Sequence, residues 1–223
     1  FITSNYVRIW EEIPLLRYFF NTSKLTVLIT ILQLLTSTFA AYAFAKMKFP
    51  GKDFLFLSYI CTIAMPWQSY MIPQFIIIKK MGLVNTHLAL IILQSFTAFG
   101  VFLVRQFYME IPNEICEAAR IDGMSEYGIY AKIMLPLSKP VIATLTIFSF
   151  TTIWNDFMGP LIYINSQNLK TIQLGLRSFI TEYSSEYSLI MAGSVVALIP
   201  VLIVFACLQK YFVEGIASTG LKG

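Results

Sequence analysis

A chain of 223 residues with 57% hydrophobic side chains and only 13% charged ones carries about half the charge of an ordinary soluble domain. The charges cluster in short stretches, and the runs between them are long enough to cross a bilayer, which excludes a water-soluble globular domain. The formal charge of +4 is too modest to suggest nucleic-acid binding, and Cys61, Cys116 and Cys207 lack the spacing of a disulfide scaffold or a metal site.

The first stretch, residues 1–24, carries Trp10, Tyr18 and Phe19 beside Arg8, Arg17 and Lys24. That mixture suits an external segment lying at the membrane interface. It has neither the basic start nor the apolar centre of a signal peptide. Residues 25–223 then read as a membrane domain with five apolar segments. Leu25–Ala45 follows a cap-like Asn21-Thr22-Ser23; Phe54–Ile72 contains Pro66; Leu88–Val104 opens after Asn85-Thr86; Pro140–Ile164 and Ser188–Leu208 complete the set. Each is about as long as a helix needs to cross a hydrocarbon layer of roughly 30 Å. None alternates polar and apolar residues as a barrel strand does, so the expected fold class is an all-α polytopic helical bundle. Pro66 and Pro200 are expected to bend their helices.

Five crossings put the two ends on opposite sides. With the loop after the third segment inside, Lys46–Asp53 and the tail from Gln209 are inside too, and Lys and Arg are only slightly more frequent there. A chain that starts outside with Phe1 and no signal peptide implies one more helix upstream, giving six.

The longest polar stretch between apolar segments is residues 105–139. Asn113 is placed to cap a short helix, with Glu114 and Glu117 in its first turn, where negative charge is favoured. Asp122 and Gly123 mark its end. Ser125 and Glu126 can open a second short helix with Tyr127, Ile129, Tyr130, Ile133 and Met134, ending at Pro136. Helices this short need a surface to pack on. Ala118 and Ala119 make the first one shallow enough to sink into a partner's groove, while its carboxylates can meet basic groups there.

Glu117-Ala118-Ala119, three residues, Gly123, nine residues, then Ile133-Met134-Leu135-Pro136 resembles, without a gap, the EAA loop of binding-protein-dependent ABC importer permeases. The secondary motifs resemble the carbohydrate, maltose-type (MalG-like) branch. They are Ile72-Pro73, Gly82-Leu83-Val84-Asn85-Thr86, Ile111-Pro112, Trp154-Asn155-Asp156-Phe157 with Pro160-Leu161, and the C-terminal Phe212-Val213-Glu214-Gly215-Ile216 with Gly220-Leu221-Lys222-Gly223. The resemblance implies the type I permease fold in the bacterial inner membrane. It also implies a coupling role toward an ATPase subunit for Glu117, Ala118, Ala119, Asp122, Gly123, Ile133, Leu135 and Pro136. The implied partners are an ATP-binding-cassette ATPase dimer, a second homologous permease, an external solute-binding protein and membrane lipid. No cofactor is expected on this chain. It has no Gly-x-x-x-x-Gly-Lys loop, so ATP and Mg would be bound by the partner ATPase.

Two readings fit Asn155 and Asp156: they line a pathway or join the halves of a pore, or they form an interfacial helix end fixed by Trp154. Gln33, Gln68 and Gln94, in three segments, suit helix-packing hydrogen bonds or solute contact. His87, the single histidine, cannot build a metal site or triad alone. Import of a sugar or oligosaccharide is the leading expectation. The alternatives are a permease for amino acids, peptides or ions, and an integral membrane enzyme. For the enzyme the chain shows no catalytic constellation: no clustered His, no paired intramembrane carboxylates and no Gly-x-Ser-x-Gly turn.

Overall fold

The computed structural model describes residues 4–180 and 186–220, with the side chains of 211–220 left aside. The tail motif Phe212–Ile216 with Gly220–Gly223 therefore lies outside the described side chains. Among the described residues the architecture is helical without a sheet, as composition and pattern led us to expect.

The chain runs α1 (Ser4–Glu12), α2 (Leu15–Lys46), α3 (Lys52–Cys61), α4 (Met71–Lys80), α5 (His87–Gln94) and α6 (Ala98–Glu110). It continues α7 (Asn113–Ile121), α8 (Glu126–Ile129), a π turn over Tyr130–Met134, α9 (Leu135–Leu137), α10 (Lys139–Trp154), α11 (Met158–Tyr163), α12 (Ile172–Leu176) and α13 (Tyr187–Gly220). Among the described residues, three stretches are long and apolar enough to cross a membrane: Leu15–Lys46, His87–Glu110 and Tyr187–Lys210. A fourth arises if Glu126–Leu137 and Lys139–Trp154, which meet at 78°, count as one bent span.

Three expectations change. First, α2 opens at Leu15, ten residues before Leu25, and Asn21-Thr22-Ser23 caps nothing. Tertiary partners satisfy these polar groups inside the helix. Asn21 Nδ2 donates to the carbonyls of Asn168 and Lys170, and Thr22 Oγ1 donates to the Tyr18 carbonyl and accepts from the Ile172 N–H. Second, Phe54–Ile72 is interrupted rather than merely bent. Met65, forced out of the helical region by the following proline, is extended at φ −82°, ψ 114°, and 3-10 turns flank the break. Third, the apolar segments around Gln94 and Asn155 are each broken. Ser95–Thr97 separates α5 from α6, and Asn155–Phe157 separates α10 from α11. Pro200, by contrast, stays inside a continuous α13.

The contacts divide the chain into two compact units. One comprises Phe1–Thr30, Met71–Gln94 and Phe150–Cys207. Its core gathers Ile9, Leu15, Tyr18, Trp154, Ile172 and Leu176. Trp154 stacks on Phe150, meets Phe19 edge-on, and donates its indole N–H to the Ala197 carbonyl at 2.8 Å. Within this unit the Gly82–Thr86 loop is fastened by one residue. Asn85, in the left-handed region at φ 62°, accepts from the Asn165 and Ser166 N–H groups through Oδ1 and donates to the Ser166 hydroxyl. Its backbone N–H reaches the Tyr163 carbonyl at 2.7 Å.

The other unit comprises Ile31–Tyr70, Ser95–Ser149 and Leu208–Gly223. Its core joins Ala41 and Tyr42 of α2, Val104 and Tyr108 of α6, Cys116 and Ala119 of α7, Ile129 and Met134 around the π turn, and Leu145 of α10. The loop that carries the sequence motif is thus part of a packed unit rather than an appendage.

Candidate functional site

The site is built on α7, the turn after it, and the helix that follows. Pro112, not Asn113, takes the cap position of α7. Asn113 is instead claimed by α2, whose Lys46 ammonium donates to Asn113 Oδ1 at 2.8 Å and also to the Ile111 carbonyl. At the other end Gly123 sits at φ 79°. Its N–H reaches the Arg120 carbonyl, and the Met124 N–H reaches the Ala119 carbonyl at 2.9 Å. These two bonds form a Schellman closure, in which a left-handed residue lets the last carbonyls of the helix be satisfied. Ser125 caps α8 as expected, accepting from the Gly128 N–H at 3.2 Å.

The second helix does not stop at Pro136. The turn over Tyr130–Met134 is π-helical, with the Leu135 N–H bonded to the Tyr130 carbonyl, and the helix runs on to Leu137. A proline one step later would ordinarily collide with the carbonyl four residues back. The wider turn relieves that crowding, so Pro136 is held inside the helix.

What fixes this element is a polar lattice with α2. Thr38, Tyr42 and Lys46, four residues apart, share one face of α2. The Thr38 hydroxyl meets the Tyr130 hydroxyl at 2.9 Å, Tyr42 donates to Glu126 Oε2, and Lys46 holds the start of α7. Glu126 is the hub. Arg120 clamps both its oxygens, Nε to Oε1 at 2.6 Å and a terminal nitrogen to Oε2 at 3.2 Å, and also reaches the Lys46 carbonyl. The Arg120–Glu126 pair therefore closes the turn between α7 and α8. The carboxylate keeps the guanidinium firmly protonated. Cys116 packs beneath, with its sulfur 3.7 Å from that of Met134. Burial pushes its thiol up, which makes it a core residue and a poor nucleophile.

The motif residues separate by face. Glu117, Ala118, Asp122, Gly123 and Pro136 are exposed, and Ile133 and Leu135 are half-buried. Ala119 is only 6% exposed and belongs to the core. The shallow outer surface expected from two alanines thus comes from Ala118 alone, whereas Ala119 lets α7 lie close on its own unit. The exposed face carries two large apolar side chains, Ile121 at 87% exposure, which pattern reading did not single out, and Tyr127 at 73%, which it places on the second helix without a face. Arg120 and Tyr42 were missed as well, and pattern reading gives Glu126 and Lys46 only as a helix start and a residue of the inner loop. The regular spacing of Thr38, Tyr42 and Lys46 in an apolar helix was the available signal.

Of the candidate pathway residues, Gln94 and Asp156 come together. Gln94 Nε2 donates to Asp156 Oδ2 at 2.7 Å, while Asp156 Oδ1 accepts from the Gly159 N–H at 3.1 Å. Asp156 therefore both opens α11 and holds the end of α5. Asn155 faces Gln173, whose amide donates to its Oδ1 at 3.1 Å. Gln33 and Gln68 belong to the other unit. Among the described residues no group of three or more potential ligands could hold a metal.

Comparison with known proteins places these features. The profile of the family described as "binding-protein-dependent transport system inner membrane component" matches residues 12–218. The chain is 37% identical over 220 residues to the arabinooligosaccharides transport system permease protein AraQ of Halalkalibacterium halodurans, covering 98% of this chain and 79% of that one. It is 33% identical over 208 residues to the lactose transport system permease protein LacG of Rhizobium radiobacter, covering 93% and 76%. Among solved structures it resembles a chain of a bacterial ABC transporter involved in the import of the acidic polysaccharide alginate. That match has a TM-score of 0.84 at 26% identity, covering 95% of this chain and 80% of that one. A helical, multi-span chain whose polar loop is folded into a clamped helix pair thus belongs to the family of binding-protein-dependent transport system inner membrane components, as a permease subunit of the bacterial inner membrane.

Proposed function

We propose that this permease subunit imports a sugar or oligosaccharide handed over by an external binding protein, and that α7 with its turn is the element through which a separate ATPase drives it. The observation that carries the coupling role is the exposed face of α7 and α8. It presents Ile121 and Tyr127 to solvent beside Glu117, Ala118 and Asp122, while the opposite face is bonded to α2 through Lys46 and Tyr42. Large apolar side chains held in the open on a rigid, polar-rimmed element have the composition of an interface anchor. A force applied to that face is passed to α2 because the lattice beneath it is closed. The carbohydrate assignment draws support from relatives named for arabinooligosaccharides and lactose. A second homologous permease completes the pathway, and ATP with Mg is bound by the ATPase dimer.

The experiment compares the assembled transporter with Glu117→Lys, Gly123→Asp and Ile121→Asp. It reads co-purification of the ATPase subunit, and ATPase stimulation by binding protein loaded with sugars or with amino acids. Release or uncoupling of the ATPase in the variants, with stimulation by sugars alone, is the expected result. Unchanged association in all three variants would refute the coupling role. Stimulation by amino acids in place of sugars would refute the substrate class and leave the coupling role standing.

A further inference from the structure

The short connection between α2 and α3 holds positive charge, at Lys48 and Lys52, that the coupling role does not use. The charged residues lining a cleft beside α7 are Lys46, Lys48, Lys52, Glu117, Arg120 and Glu126. Arg120 is neutralised by Glu126. The three lysines are different: among the described residues, no ion pair includes any of them. Lys46, 8% exposed, donates to a carbonyl and an amide oxygen, both neutral. Lys52 reaches only the Met47 carbonyl, at 3.5 Å, and Lys48 is exposed.

The loop is also held in place. Phe44 packs against Phe49 and Phe56, and the Arg105 guanidinium lies 4.0 Å over the Phe56 ring while bonding the Phe44 carbonyl. Lys48 and Lys52 therefore sit on a fixed turn. From that turn rises α3, a helix with no buried residue at all, whose Phe54, Leu55 and Leu57 stand exposed.

We infer that this cleft is a binding site for an anionic phospholipid, with the phosphate between Lys48 and Lys52 and the acyl chains along Phe54 and Leu57. A phosphate supplies the negative charge the lysines lack, and a bare apolar helix starting at the same turn is the wall an acyl chain requires. An acidic protein segment would answer the charge but leave the apolar face of α3 uncovered. Basic pockets at the membrane ends of spans recognise lipid headgroups by this chemistry. The inference depends on the chain being a membrane permease and not on the coupling role of α7.

The test reconstitutes the assembled transporter in nanodiscs of equal phosphatidylglycerol and phosphatidylcholine, then measures retained lipid by native mass spectrometry. Wild type is expected to retain phosphatidylglycerol preferentially. Lys48→Gln with Lys52→Gln is expected to lower that preference about thirtyfold, the order given by roughly 1 kcal/mol for each of the two basic side chains. Lys48→Arg with Lys52→Arg should restore it. Lys79→Gln with Lys80→Gln, an equal loss of charge on the exposed end of α4, should leave it unchanged. An unchanged preference in the Lys48/Lys52 variant overturns the proposal, as does an equal fall in the Lys79/Lys80 control. Release of the ATPase with lipid retention intact would overturn it too, and would make the cleft a protein-docking surface.

Discussion

Removing the Glu126 carboxylate should loosen the turn between α7 and α8 without unfolding the chain. In Glu126→Ala the Arg120 side chain, about one-third exposed, is resolvated, and the loss of that ion pair costs no more than about 1 kcal/mol. The Tyr42 hydroxyl is another matter. Tyr42 is 3% exposed, and its bond to a carboxylate is worth about 1.5–3 kcal/mol. Loss of negative charge from the first turn of α8 adds a few tenths of a kcal/mol. The local opening energy should therefore fall by about 2–4 kcal/mol. Hydrogen exchange at the amides of Asp122, Gly123 and Met124, closed by the bonds to α7, is expected to speed up by a factor of about 30 or more. The measurement is made on the assembled transporter in nanodiscs, with amides of α13 as the internal reference. In the background of Tyr42→Phe the same substitution should cost measurably less, because the buried hydroxyl no longer waits for an acceptor. Exchange within twofold of wild type, or full additivity of the two substitutions, would refute Glu126 as the hub.

Other substitutions test the same reasoning elsewhere. Gly123→Ala, at φ 79° with open space around it, should destabilise the turn by about 1 kcal/mol through backbone strain alone, read as a lower exchange protection of α7; Gly123→Asn should cost less. Asp156→Ala removes the acceptors of one Gln94 amide bond and of the Gly159 N–H, and a loss of about 1–3 kcal/mol should appear as a lower melting temperature in detergent. Asp156→Asn, whose amide oxygen can still accept from the Gly159 N–H, should recover part of that loss. Asn85→Ala deletes three side-chain hydrogen bonds to Asn165 and Ser166 and is expected to raise protease cleavage within residues 82–86, while Asn85→Asp, which keeps the acceptor, should cleave far less.

Most of the architecture was legible because bilayer-length apolar runs and a helix end marked by Asp122-Gly123 are local signals. Gly123 adopts the left-handed conformation that such a position needs, and Ser125 caps the next helix. What failed were judgements that local pattern cannot decide. Asn21-Thr22-Ser23 has the composition of a cap, yet Asn168, Lys170 and Ile172, some 150 positions away, satisfy its side chains within a helix. Asn113 likewise serves Lys46. At the site, the motif named Glu117 through Gly123 but not which of its faces turns inward. Burial of Ala119 and exposure of Ile121 follow from the packing of α7 into a core with Tyr42, Tyr108 and Ile129, residues outside the motif. The Arg120–Glu126 clamp escaped notice because its six-residue spacing matches no helical repeat; a glycine turn brings the two together.

The π turn over Tyr130–Met134 makes the chain one residue longer than an ordinary helix would need to cover the same rise. Ile129 and Met134, both wholly buried, are five positions apart, a separation that an ordinary helix would swing off the inward face. Deleting Ala131 or Lys132 would shorten the path by that surplus residue and turn everything before it by about 100° relative to α10. Tyr130, Glu126 and the whole of α7 would then be aimed away from α2, with every one of their side chains still present. The direction in which this permease offers its outer face is thereby written into the count of residues between Ile129 and Pro136, and a shift of register there is expected to silence it more completely than substitution of any single residue on that face.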